Sequence, residues 1–192
     1  MRRARRLALG VLNRVSGRSE HLRVYKKLRD AEWLSENEVR EIQSAGLRRL
    51  LNHAYNRVPY YRAAIEQVGG MSALLQSDPF DVLRRMPVLT RSILRHKYSE
   101  LVAEDIGSRS WYENASGGST GEPVRFIQDI EYHRWASAVK RLFDSWTGYE
   151  PGMPKVILWG SERDLSASAA TVRRKILSWL RNESWLNAFR MT

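Results

Sequence analysis

ENASGGSTGEPVRFI, residues 113–127, is the stretch on which the fold and function of this chain turn. Gly117, Gly118 and Gly121 free the backbone to take positive φ and to aim successive N–H groups at one point, while Ser116, Ser119 and Thr120 add hydroxyl donors. Such a nest binds phosphate oxygens. Gly and Ser also build ordinary hairpin turns, so residue type alone leaves both roles open. The run lacks the Gly-Lys-Ser/Thr ending of a P-loop, and its glycines do not fit G-x-G-x-x-G. No helix follows at once, because Pro123–Gln128 carries the Val124, Phe126 alternation of a strand. Phosphate contacts here would therefore come from amides and hydroxyls rather than from a helix dipole.

Downstream of this loop, Asp129 is placed to cap a helix whose stripe of Trp135, Val139, Leu142, Phe143 and Trp146 has helical spacing and is expected in the core. Gly148–Pro154 is a turn-rich connector, and KVILW at Lys155–Trp159 reads as a buried strand. Val172, Ile176, Trp179 and Leu180 mark a further helix, and a short strand is expected around Trp185–Phe189. Upstream, Ser110–Ala115 is a short aromatic-rich segment. Ser35 and Glu38 form a capping box ahead of a helix carrying Val39, Ile42, Leu47, Leu50, Leu51 and Ala54, expected to end near Val58–Pro59. Thr90 can cap a short helix with Ile93, Leu94 and His96. The expected fold class is α/β: a helical N-terminal region, then the beginning of a mixed sheet.

Composition narrows the chemistry. Hydrophobic residues make up 43% of the 192, enough to fill a core, and no window approaches the ~18 consecutive apolar residues of a membrane-spanning helix. Without cysteine there are no disulfides, no thiolate catalysis and no Cys-based zinc sites, which fits a cytoplasmic setting. His21, His53, His96 and His133 stand at no ligand spacing, so no metal site is expected from them. His53 reads as a hydrogen-bonded helix residue, and Tyr55, Tyr60 and Tyr61 beside Pro59 read as a packed aromatic corner. The net charge of +11 is localised: ten basic residues stand against Glu20 and Asp30 in the first thirty positions, a surplus of eight. Residues 1–31 thus form a basic arm, with Leu7, Val11, Leu12 and Val15 at roughly helical spacing. The arm suits either solvent exposure beside the domain or the surface of an anionic membrane. Charge alone, with no recognisable reading motif, gives no expectation of specific nucleic-acid binding.

The SGGSTGEP run between two strands, followed by a helix, resembles the phosphate-loop signature of adenylate-forming (AMP-binding) enzymes. More narrowly, LLNHAYNRVPYYR (Leu50–Arg62), MPVLTRSILR (Met86–Arg95), SGGSTGEPVRF (Ser116–Phe126) and WTGYEPGMPKVILWGS (Trp146–Ser161) are similar, in the same order, to segments of the phenylacetate–CoA ligase and CapK-like branch. The resemblance runs from about Leu34 onward, so residues 32–192 are expected to be the N-terminal part of an adenylation-type domain, incomplete in extent.

The resemblance implies an ATP-dependent acyl-activating ligase. A carboxylate acid and ATP would give an acyl-adenylate and pyrophosphate, with Mg2+ carried on the phosphates and transfer to CoA or another acceptor, in polysaccharide or capsule-related metabolism. It implies nucleotide-phosphate binding by Ser116, Gly117, Gly118, Ser119, Thr120 and Gly121, and leaves a homodimer open. It identifies no catalytic residue within this sequence. The lysine that often follows the motif's Pro is replaced by Val124, and Arg125 would point to the opposite face of a regular strand. The family's aromatic-Gly-x-Thr-Glu segment, ribose-binding Asp and C-terminal lysine have no counterpart here, so the 192 residues alone are expected to be inactive. The alternative expectation is a non-catalytic adenylation-like module held at the inner face of a membrane by residues 1–30.

Overall fold

The computed structural model of the chain describes residues 19–116, 123–159 and 172–188. In order these form α1 (Ser19–Ala31), α2 (Glu36–Arg57), α3 (Pro59–Glu66), α4 (Gly70–Gln76), α5 (Pro79–Arg85), α6 (Arg91–His96) and α7 (Tyr98–Leu101). A 3-10 turn (Ile106–Ser108) leads to β1 (Trp111–Ala115), β2 (Arg125–Asp129), α8 (Ile130–Trp146), β3 (Lys155–Trp159), α9 (Val172–Arg181) and β4 (Glu183–Asn187). The fold is mixed α/β, with helices first. Among the described residues no helix is long and apolar enough to cross a membrane.

The chain divides into two compact units, Arg29–Ala136 and the pairing of Met1–Leu28 with Ser137–Thr192. In the first, α2 begins as its sequence predicts. The Ser35 side chain accepts from the Glu38 N–H, and the Glu38 carboxylate accepts from the Ser35 N–H at 2.8 Å. The helix stops at Val58 because Pro59 follows, yet the chain does not leave helical structure: Pro59 occupies the first turn of α3, where its missing N–H costs nothing. Arg62 then reaches back, donating to the Asn56 carbonyl at 2.8 Å and the Tyr55 carbonyl at 3.0 Å, and so caps the end of α2.

Leu51 of α2, Ile65 of α3, Leu74 of α4 and Val82 of α5 meet in a fully buried cluster, the core of this unit. Asp78 caps α5 through the Phe80 N–H (2.9 Å) with Pro79 at its first position. Arg48 joins α2 to the end of α4 through the Leu74 and Ser77 carbonyls. Thr90 caps α6, its hydroxyl accepting from the Ile93 N–H at 3.3 Å, in agreement with the sequence.

In the second unit, Val24 of α1 and Ala138 and Leu142 of α8 are buried. The Arg141 guanidinium lies 4.7 Å above the Tyr25 ring, tying α1 to α8. β3 and β4 pair in parallel, Lys155 opposite Glu183 and Trp159 opposite Asn187, with α9 between them in the chain. Asn182 takes φ 59° to turn α9 into β4 and returns its carbonyl to the Lys155 N–H at 3.0 Å. Lys155 is fixed by Asp144, 2.6 Å away.

Two expectations fail here. The Trp135 to Trp146 stripe is core only in part: Leu142 is buried, beside Ala138 which the stripe did not include, and Val139 is half-buried, while Trp135, Phe143 and Trp146 are exposed. Helical spacing gives the direction of a face, not the depth to which it sinks. KVILW is not a buried strand either. Among the described residues, Val156 and Leu158 lie on a two-stranded sheet at 62% and 58% exposure. The expected pairs of mixed direction are present, but as two separate two-stranded sheets, β1 with β2 and β3 with β4.

Candidate functional site

β1 and β2 pair antiparallel, with Trp111 opposite Asp129 and Ala115 opposite Arg125, so residues 116–124 connect the arms of a hairpin. Its neck is fastened twice. The Ser116 N–H donates to the Val124 carbonyl at 2.9 Å, and the Val124 N–H donates to Ser116 Oγ at 2.9 Å. This explains why β2 starts at Arg125 rather than at Pro123 as its alternation suggested: Pro123 has no N–H to give a ladder, and the Val124 N–H is taken by a side chain. Of the expected phosphate contacts, Ser116 is described, and Gly117, Gly118, Ser119, Thr120 and Gly121 lie outside the described residues. Ser116 Oγ accepts from Val124 and keeps its own proton to donate.

Around the hairpin arms the charges are matched. Glu113 on β1 and Arg125 on β2 are diagonal neighbours on one face and form an ion pair, and Tyr98 Oη donates to the same carboxylate at 3.2 Å. The Arg125 hydrogen bond, above all, holds the Glu113 carboxyl below the usual carboxylate range and raises Arg125 in return. Val124 is buried and Arg125 exposed, the opposition of faces expected from strand geometry. Arg125 is therefore engaged with Glu113.

At the base of the hairpin four side chains converge. His53 Nε2 of α2 lies 3.1 Å from Asp105 Oδ2, and Arg109 Nη2 donates to that oxygen at 2.6 Å and stands 2.5 Å from His53 Nε2. Arg109 Nη1 also faces Asp129 at 3.7 Å. One ring nitrogen cannot donate to Asp105 and accept from Arg109 at once, so the tautomer of His53 decides which bond is made. The His53 hydrogen bond, then Arg109, holds the Asp105 carboxyl below its ordinary value. Among the described residues, Asp105 Oδ1 is buried without a hydrogen-bond partner.

Asp129 ends β2 and caps α8, accepting from the Tyr132 N–H at 2.7 Å, and the Ile130 N–H donates to the Ser110 carbonyl at 2.9 Å. The hairpin is thus anchored at both its base and its neck. His53 is hydrogen-bonded as its sequence context suggested, but its partners lie 52 and 56 residues away, beyond any local pattern. Tyr60 and Tyr61 meet edge to face with centroids 5.4 Å apart, as an aromatic corner should. The Glu113–Arg125 pair had a readable signal in the period-two alternation of the two strands, once they are paired.

No protein-family model matches this chain, and no curated protein matches it.

Proposed function

We propose that this chain carries the phosphate-binding portion of an ATP-dependent acyl-activating ligase of the adenylate-forming type, acting in the cytoplasm. The observation that carries the reading is the SGGSTG run itself, set between two antiparallel strands whose ends are fastened by the reciprocal Ser116–Val124 hydrogen bonds. The ordered similarity of the four segments between Leu50 and Ser161 to the phenylacetate–CoA ligase and CapK-like branch supports it.

In this reading Ser116–Gly121 present backbone amides and hydroxyls to the phosphates of Mg-ATP. A substrate carboxylate attacks the α-phosphate; the bond to the β-phosphate oxygen breaks, pyrophosphate leaves and an acyl-adenylate remains. Preorganised donors stabilise the charge gathering on the departing phosphates, the main electrostatic contribution to such a transfer. A carboxylate is already a nucleophile, so orientation takes the place of a general base. The acyl group then passes to CoA or another acceptor. Nucleotide binding is the step proposed for these 192 residues.

The test is calorimetric titration of the chain with Mg-ATP, with pyrophosphate as competitor. Saturable ATP binding displaced by pyrophosphate is expected. Failure of both ligands to bind would refute the reading.

A further inference from the structure

The two compact units differ in charge. Met1–Leu28 and Ser137–Thr192 together hold eighteen Lys and Arg against six Asp and Glu, a net +12; Arg29–Ala136 holds fourteen against fifteen, a net −1. The positive surplus of the chain therefore resides in one unit.

That unit also exposes large apolar side chains: Phe143 and Trp146 on α8, Val156 and Leu158 on β3, and Ile176 and Trp179 on α9. Trp146 and Trp179 are 63% and 62% exposed. Scattered apolar residues on a surface are ordinary, and the Arg29–Ala136 unit exposes them too; what sets the basic unit apart is that its exposed apolar groups coincide with a strong positive charge. Helix α9, VRRKILSWLR, combines both features. It has four cations and no acid, and Ile176 and Trp179, three residues apart, share one side of the helix beside the exposed Lys175. The root of the basic arm belongs to the same unit, through buried Val24 and the Arg141 guanidinium over Tyr25.

We propose that this unit docks peripherally on an anionic lipid surface, with Ile176 and Trp179 of α9 entering the headgroup boundary. The sequence had pointed to residues 1–30 alone as the lipid contact; the structure adds a basic amphipathic helix near the other end of the chain, grouped with the arm in one unit. Lysine and arginine supply attraction to anionic headgroups, and tryptophan is suited to a boundary that is apolar on one side and wet on the other. Nucleic acid would answer the charge but not the exposed aliphatic residues. The proposal stands independently of nucleotide binding.

The test uses the full chain with vesicles of equimolar phosphatidylglycerol and phosphatidylcholine, against vesicles of phosphatidylcholine alone. Co-sedimentation with the anionic vesicles only, weakening with salt and accompanied by a blue shift of tryptophan emission, is expected. Ile176→Ala and Trp179→Ala should each lower partitioning by about tenfold, since each removes a buried apolar side chain from the boundary. Lys175→Glu, at an exposed position that leaves packing intact, should weaken it as well. Circular dichroism on each variant separates lost binding from lost fold. Absence of binding to the anionic vesicles, or unchanged partitioning of all three folded variants, would overturn the proposal.

Discussion

Ser116 and Val124 hold each other across the neck of the β1–β2 hairpin, each N–H bonded to the other residue, one to a carbonyl and one to a hydroxyl. Val124 is buried, so its N–H depends on the Ser116 hydroxyl rather than on water. Ser116→Ala should cost about 1–3 kcal/mol, and Ser116→Thr, which keeps the hydroxyl, clearly less. Urea denaturation measures both. Wild-type stability in Ser116→Ala would mean that the hydroxyl is idle at the neck.

Ile65 is fully buried among Leu51, Leu74 and Val82. Truncation to Ala should cost about 2–5 kcal/mol and Ile65→Val about 0.5–1.5, because the helices packed against it can close a cavity only in part. Equal and small losses for the two variants would indicate that the cluster collapses freely.

The α2 cap offers a local test. Ser35→Ala removes the hydroxyl that accepts from Glu38 and frees one partner of the box, so about 0.5–2 kcal/mol should be lost in thermal denaturation. An unchanged melting temperature would assign the start of α2 to tertiary packing instead.

The features legible in the sequence were those with local causes. The Ser35 to Glu38 spacing, Thr90 and Asp129 each mark a helix boundary through a contact three residues away, Pro59 marks one through its missing N–H, and each stands where expected. What could not be read depends on residues distant in the chain. The burial of Ala138 and Leu142 but not of Trp135, Phe143 and Trp146 is decided by what packs on α8, and the exposure of Val156 and Leu158 by how many strands and layers cover β3. The His53, Asp105, Arg109 convergence joins α2 to the hairpin base over more than fifty residues, with no periodicity to announce it. Ser116 is expected from the sequence as a phosphate contact; what the structure shows is its bond to Val124 at the neck.

Acid should weaken the hairpin base. Asp105 has a folded-state pKa below its ordinary value, first through His53 and then Arg109, so the folded chain binds fewer protons than the unfolded one. Its contribution is full above the ordinary carboxylate value of about 3.9 and is lost as pH falls below that toward the folded-state value. Asp105→Asn should therefore flatten the acid limb of a stability-against-pH curve below about pH 4 while lowering stability at neutral pH. An unchanged acid limb would remove Asp105 as the cause.

The most direct measurement compares Mg-ATP affinity of the wild-type chain with that of Gly118→Val and Thr120→Ala, each verified as folded. Valine tolerates positive φ poorly and should disturb the aim of the amides, whereas alanine at 120 deletes one donor and leaves the backbone free to keep its shape. The account predicts that wild type binds and that each variant binds at least about tenfold more weakly, the scale of a lost hydrogen bond to a charged group. Equal ATP affinity in all three proteins would contradict it and leave SGGSTG as a hairpin connection only.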